Sequence, residues 1–385
     1  MKSKKTARDR VGAALVGCGG IAKSQHLPNL SRAPNLRLLA VCDVDERAAQ
    51  AAQAAYAVPR ATTKFDELLA DPEVELVVVA TKEDAQVELT CRALEAGKHV
   101  YVEKPLATTP EDCRKVIQAQ GRHHKLVQVG FNRRFAPACR EARRILAQRG
   151  GPTNIHFRLS DEYWSWGRAN PPGVRVIQEA CHVFDLLRWF ADAEVASVYC
   201  ASARPDDEIY ALKFTSGCVA TVMSTGEVTL DLPKERIELV TRRPGALVIE
   251  EYAELRTYGC PDEPAVLRYP GHTHPDSEFT HKVLFEQLGA EALAAFRKAR
   301  WQLRNQQEAG ELNPNDAELR RFMELRFPHM NYLVDKGWRA ALGHLADCIL
   351  GRAAFDGPGP RDALAASVLA HAVMKSRESG EVVKL

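Results

Sequence analysis

Two rhythms of apolar and polar positions alternate along the first third of the chain. Residues 11–16 form a short continuous apolar run, the pattern of a strand covered on both faces, and the stretch from about Gly20 reads as helix. Residues 37–42 are β-patterned, 46–56 Ala-rich and helical, 58–61 a short strand candidate, and 65–69 a brief helix stopped by Asp71-Pro72. A β-branched run at 74–80, a helix at 85–96 closed by Gly97, a strand at 99–102, a helix at 110–120, a strand at 126–129 and a helix at 136–148 complete the series. Strand and helix alternating this regularly predict a doubly wound parallel sheet. Ligands of such sheets bind beyond the carboxyl ends of the strands, so the regions of Gly17, Thr81, Lys104 and Asn132 are expected on one rim.

Past Gly150-Gly151-Pro152 the pattern changes. Residues 154–159 alternate with a period of two and 176–190 are helical. β-patterns then follow at 195–201, 208–214, 218–224, 236–241 and 246–252. Strands in succession predict a mostly antiparallel open sheet in a second domain. Its helix-free face is expected to be covered by another copy, giving a homo-oligomer (dimer or tetramer). Residues 284–307 and 316–327 read as a helical hairpin inserted at about 271–330, and 332–350 and 361–378 as two closing helices. The expected layout is a disordered basic tail at 1–10, a dinucleotide-binding domain at 11–131, and a substrate and oligomerisation domain at 132–385. The last helix is free to pack back on the first domain.

The turn after the first strand carries the chemistry. Gly17, Gly19 and Ala22 fall on the G-x-G-x-x-G/A spacing of a Rossmann fingerprint, with Gly20 and Ile21 between them. Gly17 permits the tight turn, Gly19 lets a pyrophosphate approach the backbone, and Ala22 lets helix and strand pack closely. The helix start then offers unpaired N–H groups to the phosphates. The second strand ends at Asp43, where an acid grips the adenosine ribose. Val44 and Asp45 follow rather than an Arg, and paired carboxylates repel a 2′-phosphate, which favours NAD over NADP.

Composition narrows the class. At 385 residues, 45% hydrophobic, the chain can fill two cores. Its 52 Lys and Arg nearly balance 50 Asp and Glu, so neither a nucleic-acid nor a membrane surface is indicated. Ten scattered cysteines without C-x-x-C pairs read as reduced core residues of a cytoplasmic protein. The basic start has no apolar core of a signal peptide, and no apolar run reaches the ~20 residues of a membrane span.

Glu103-Lys104-Pro105, about 80 residues after the glycines, together with Ala96-Gly-Lys-His-Val-Tyr-Val, Gly130-Phe-Asn-Arg-Arg-Phe135, Cys181-His182-Val-Phe-Asp185 and Gly380-Glu-Val-Val, gives the chain its resemblance to the Gfo/Idh/MocA family. The similarity runs over nearly the whole chain. It implies an NAD(P)-dependent dehydrogenase or reductase acting on sugars, inositols or their derivatives. It also implies cofactor contacts from Thr81, Glu103, Lys104 and Pro105, and a cis-prone bond before Pro105. Bare chemistry agrees with Lys104 and His182 as catalytic groups. A desolvated Lys104 with a lowered pKa hydrogen-bonds the substrate oxygen, and His182, ordinarily titrating near ~6.5, accepts or donates the hydroxyl proton.

The departures matter too. The family's Asp, four residues before the His and one helical turn away, is Gln178 here, with Glu179 about 100° around the helix. A Gln orients a hydroxyl but exchanges no proton. Lys82, Glu83 and Gln86 replace the usual Pro-Asn and His after Thr81. Asn132 and Arg133, after a strand at the same rim, are candidates for the nicotinamide ribose or a polar substrate, the alternative being a helix N-cap with solvated charge. Tyr163, Trp164, Trp166 and Arg168 are candidates to stack on a sugar ring and bind its hydroxyls, the alternative being core or interface. His272, His274, Asp276 and His281 lack the ordered spacing of a zinc site, so no metal is expected. Two other readings remain open: tightly bound NAD used for transient oxidation, as in glycoside elimination, and a non-catalytic NAD-binding regulator.

Overall fold

The computed structural model describes residues 9–166, 170–229, 231–269, 271, 289–311, 313 and 334–385. The chain divides into two compact units, one of residues 1–135 with 337–368 and one of 136–336 with 369–385. Residues 337–368, grouped by their sequence pattern with the second domain, thus fall in the first unit.

The first unit is built on six strands: β1 (Val11–Val16), β2 (Leu36–Cys42), β3 (Arg60–Thr62), β4 (Leu76–Val79), β5 (His99–Val102) and β6 (Val127–Val129). All pairs are parallel and the spatial order is β3-β2-β1-β4-β5-β6. This is the doubly wound order whose switch point lies between β1 and β4. β1 and β4 are buried along their whole length, as continuous apolar runs under helices on both faces must be. Gly12 is required in β1 because a Cβ there would lie 1.9 Å from the Glu73 carbonyl oxygen. The helices α1 (Leu27–Arg32), α2 (Glu46–Tyr56), α3 (Phe65–Ala70), α4 (Glu83–Glu95) and α5 (Pro110–His123) follow the strands in turn. Asp45 caps α2 by accepting from the Arg47 amide at 2.9 Å, and Thr109 caps α5 with Pro110 as its first helical residue. Helix Trp338–Ile349 joins this core through Ala341, Leu342, Leu345 and Ala346, packed with Val11, Leu27 and Leu36. The Gln128 and Asn35 side-chain amides fasten it, donating to the carbonyls of Ala341 and Gly343, each at 2.8 Å.

The second unit carries helix α6 (Pro137–Gln148), strand β7 (Pro152–Ser160), short helices α7 (Tyr163–Trp166) and α8 (Arg175–Gln178), and helix α9 (Ala180–Ala191). Strands β8 (Val195–Arg204), β9 (Asp207–Phe214), β10 (Val219–Thr225), β11 (Glu235–Thr241), β12 (Ala246–Glu250), β13 (Glu254–Tyr258), β14 (Val266–Arg268) and β15 (Val383–Lys384) follow. They form a nine-stranded sheet in the order β14-β13-β12-β11-β7-β10-β9-β8-β15, antiparallel except for the β7–β10 pair. Strict alternation in β9 buries Tyr210, Leu212 and Phe214 on one face and exposes Ile209 on the other. Tyr199, Met223 and Tyr258 are likewise exposed.

Two expected elements are divided. The strand pattern at 246–252 stops at Glu250, because Glu251 and Tyr252 adopt left-handed backbone (φ 53° and 62°) and β13 returns beside β12. Buried polar contacts hold that turn: Glu251 accepts from the Glu235 amide at 2.6 Å and pairs with Arg297, and the Tyr252 hydroxyl donates to Glu235. The helical pattern at 176–190 breaks at Glu179 (φ −113°), whose carboxylate is held by Lys234 at 3.1 Å. Helix Ala290–Glu308 occupies part of the expected hairpin, whose second arm at 316–327 lies outside the described residues.

None of the ten cysteines forms a disulfide. Burial pushes the thiols of Cys18, Cys113 and Cys200 up to about 12 and that of Cys42 up to about 11, which keeps them protonated and inert. No helix among the described residues is long and apolar enough to cross a membrane.

Two outcomes follow for the first unit. Gly12→Ala forces β1 away from Glu73 and is expected to destabilise the protein by about 1–3 kcal/mol or more, read as a lower thermal midpoint. Burial, then the Lys125 ammonium, hold the His99 imidazole down at about 4, below its ordinary 6.5. Between those values the unfolded chain takes up a proton that the folded chain refuses, so stability falls as pH drops from about 6.5 toward about 4. His99 also accepts from the Leu126 amide at 3.0 Å. His99→Asn keeps an acceptor there, and unfolding midpoints measured across that range should flatten.

Candidate active site

The first unit gathers its predicted residues on one rim. Backbone hydrogen bonds knit neighbouring strands where they end: Gly17 N to Cys42 O (2.8 Å), Ala80 N to Val16 O (2.8 Å), Glu103 N to Val79 O (2.9 Å) and Gly130 N to Val102 O (2.7 Å). The residues after these strands therefore come out side by side. Gly17 has φ +91°, and a Cβ there would stand 2.4 Å from the Ala80 carbonyl oxygen and 3.1 Å from Thr81 Cγ2. By contrast, a Cβ at Gly19 or Gly20 would meet nothing within 4 Å, so both present bare backbone. Ile21 is half-buried, and Ala22 is fully buried in the core beneath, where the chain makes a π-helical turn (Ala22–His26) before α1.

Asp43 is tied to this turn. Its Oδ2 accepts from the Cys18 amide at 2.6 Å and its Oδ1 from the Asp45 amide at 2.9 Å. A carboxylate offers about four lone-pair sites, so each oxygen keeps capacity for a ribose hydroxyl. Gly17, open Gly19 and half-buried Asp43 together fit a dinucleotide: bare amides for phosphates and an acid for the ribose. At β4, Thr81 donates to the Lys82 carbonyl (3.2 Å), and the amide of buried Gln86 closes the loop by donating to the Thr81 carbonyl (3.2 Å).

After β5 comes Glu103, buried, with half-buried Lys104 next and a cis peptide bond between Lys104 and Pro105. Asn132 and Arg133 lie in a 3₁₀ turn (Asn132–Phe135) and are both buried; Arg134 pairs with Asp362 at 2.8 Å. Solvated charge at a helix start is therefore not what this turn holds. The cap of α6 is Ala136, followed by Pro137.

In the second unit Tyr163 is buried and its hydroxyl donates to Gln178 Oε1 at 2.9 Å. Half-buried Trp164 donates its indole N–H to the Val228 carbonyl at 2.9 Å. Trp166 ends α7, and Arg168 lies outside the described residues. Because the helix breaks at Glu179, Gln178 ends α8 and His182 lies in the first turn of α9, buried, with its amide donating to the Glu179 carbonyl at 3.3 Å. The expected single helical face shared by Gln178 and His182 is thus replaced by a junction of two helices.

Sequence patterns missed two groups that hold this junction. Lys234 bridges Asp161 (3.0 Å) and Glu179 (3.1 Å). Arg175, about 1% exposed, binds Asp161 at 3.2 Å and Ser224 Oγ at 2.6 Å. In the first unit the missed residue is His26, fully buried, with Nε2 2.8 Å from Glu103 Oε1. Among the described residues no three or more His, Cys, Asp or Glu cluster as metal ligands; His272, His274, Asp276 and His281 lie outside them.

Residues 11–131 match the family model of the Gfo/Idh/MocA oxidoreductases, described as their NAD-binding Rossmann fold. These residues belong to the Gfo/Idh/MocA oxidoreductase family. Inositol 2-dehydrogenase from Salmonella typhimurium is 30% identical over 191 residues, 48% of this chain and 56% of that protein. Inositol 2-dehydrogenase 2 from Saccharopolyspora erythraea is 34% identical over 201 residues, 50% of this chain and 59% of that protein. The chain thus spans somewhat over half the length of these curated relatives. The crystal structure of the WlbA dehydrogenase from Bordetella pertussis, in complex with NADH and UDP-GlcNAcA, has the same fold across 99% of both chains, with a TM-score of 0.69 at 19% identity.

For this Gfo/Idh/MocA domain, Asp43→Ala removes an ionic acceptor worth about 1.5–3 kcal/mol. NAD affinity, measured by titration of protein fluorescence, is expected to fall about 10- to 100-fold.

Proposed function

We propose that the chain is an NAD-dependent oxidoreductase that moves a hydride to or from a carbinol carbon of a sugar, inositol or sugar derivative. The observation that carries this is the rim of the first unit: a glycine turn closed to side chains at Gly17 and open at Gly19, leading to Asp43 on one side and to Lys104 on the other. Asp43, followed by exposed Val44 and Asp45, supports NAD over NADP, because a 2′-phosphate would meet two carboxylates. The inositol dehydrogenases among the relatives support a polyol substrate.

A bound nicotinamide supplies the hydride acceptor or donor. In this reading Lys104 hydrogen-bonds the substrate oxygen, and His182 takes the hydroxyl proton on oxidation and returns it on reduction. Gln178, whose carbonyl oxygen is engaged by Tyr163, acts as an orienting group and leaves proton transfer to His182 and Lys104. Glu179, neutralised by Lys234, helps hold the α8–α9 junction. Ten cysteines without a disulfide fit a reducing cytoplasm, and the exposed Tyr199, Ile209 and Met223 fit a homo-oligomer joined through the second unit's sheet.

The test is absorbance at 340 nm with NAD or NADP against a panel of inositols, sugars and sugar acids. NADH is expected with at least one polyol. Lys104→Met and His182→Asn should each lower kcat by at least about 100-fold while NAD still binds. Tight NAD binding with no absorbance change across the panel would sink the dehydrogenase reading in favour of a cofactor-binding regulator or an internal redox cycle.

A further inference from the structure

The first unit holds a buried imidazole–carboxylate hydrogen bond that the reaction described above does not use. Glu103 directly follows β5 with its side chain about 7% exposed, and one carboxylate oxygen lies 2.8 Å from Nε2 of the fully buried His26. The other oxygen accepts from the backbone amide of Lys104 at 3.1 Å. An ionised carboxylate only accepts, so the imidazole carries its proton on Nε2 and donates it. Nδ1 of His26 meets no partner among the described residues, and the ring stands edge-on to Tyr101 with centroids 5.5 Å apart. The imidazole is thus held by packing and by one hydrogen bond, the one to Glu103.

Three features show that the carboxylate has little freedom. Its backbone amide is bonded to Val79. A Cβ at Gly130 would come within 3.0 Å of its Oε2 and 3.1 Å of its Cδ, so only glycine gives it ordinary room. The π-helical turn Ala22–His26, set just before Pro28, carries His26 to within 2.8 Å of it. A carboxylate pinned from both sides fixes the amide of the next residue, and that residue is Lys104.

We propose that His26 is a positioning residue for Lys104, acting through the carboxylate of Glu103. The proposal rests on the reading of Lys104 as the group that meets the substrate oxygen. His26 contributes no proton to the reaction. It fixes the plane of Glu103, which holds the peptide from which the lysine side chain departs. Loss of the imidazole frees the carboxylate to turn, and the ammonium then samples positions away from the reacting oxygen; misplacement by about 1 Å costs on the order of 100-fold in rate.

The test uses the full-length protein and two readouts. Acetylation of Lys104 by acetic anhydride, followed by peptide mass spectrometry across pH 6–10 with exposed Lys64 as internal reference, reports the lysine without any turnover. In His26→Leu the Lys104 profile is expected to move to a rate at least threefold different from wild type. His26→Gln, whose amide reaches Glu103, should restore most of it. In turnover, His26→Leu is expected to lower kcat 10- to 100-fold with NAD affinity within threefold of wild type. An unchanged Lys104 labelling profile in folded, NAD-binding His26→Leu overturns the proposal. Should that variant fail to fold, Gly130→Ala decides, since it pushes on Glu103 and leaves every charge in place: a shifted Lys104 profile supports the relay, and an unshifted one overturns it. If Lys104→Met keeps full turnover, the catalytic reading of the lysine fails, and the labelling arm still judges whether His26 positions it.

Discussion

A carbonyl oxygen occupies the place that a side chain at residue 17 would need. The Ala80 oxygen lies 2.4 Å from the Cβ that Gly17 lacks, because β1 and β4 are hydrogen-bonded to their last residues and the chain must leave β1 in a left-handed turn. From that approach the remaining geometry of the first unit follows. Just past the turn, the amide of buried Cys18 meets Asp43 at the end of β2. The residues beyond β4 and β5 emerge alongside, since each amide that follows a strand bonds to the preceding strand's end. Close backbone approach, rather than any one side chain, decides where Asp43, Thr81 and Glu103 stand.

Such constraints explain why the first sheet is largely legible in the sequence. Parallel strands under helices write themselves as continuous apolar runs: β5 begins and ends where the pattern of residues 99–102 places it, and β4 lies inside the run at 74–80. The glycine spacing is local and reads directly. The second unit is harder, because its irregularities are imposed from far along the chain. Nothing in residues 246–252 announces a left-handed turn at Glu251 and Tyr252; Glu235 and Arg297 hold it there. Nothing in 176–190 announces a break at Glu179, whose partner Lys234 lies 55 residues away. Periodicity sees neighbours three or four residues apart and is blind to ion pairs of that span.

His26 belongs to the same blind spot. A histidine among Lys, Ser and Gln at the start of a helix has the look of a surface residue. Its burial comes from the π-helical turn and from Tyr101 and Glu103, which lie in and just after β5. The departures that did stand out in the sequence have structural counterparts. Gln86 spends its amide on the carbonyl of Thr81, and Gln178 lends its oxygen to Tyr163. The first contact holds a backbone loop and the second a side chain, work an uncharged amide does well with one donor and one acceptor end.

Paired ionisable side chains, buried or nearly so, recur in each unit: His26 with Glu103, Arg175 with Asp161, Arg377 with Glu208, Lys336 with Glu235. Stability alone does not account for them, since desolvating two charges cancels most of their attraction and an apolar pair of equal volume often does better. Their distribution fits another use. Arg175 and Asp161 stand at the end of β7 beside Tyr163 and the α8–α9 junction, and Glu103 precedes Lys104 directly. A charged pair is directional where a leucine is not, because the energy depends on which atom faces which. Groups that must aim at a substrate gain from neighbours of that kind, and two of these pairs, His26–Glu103 and Arg175–Asp161, border residues for which the chemistry is proposed.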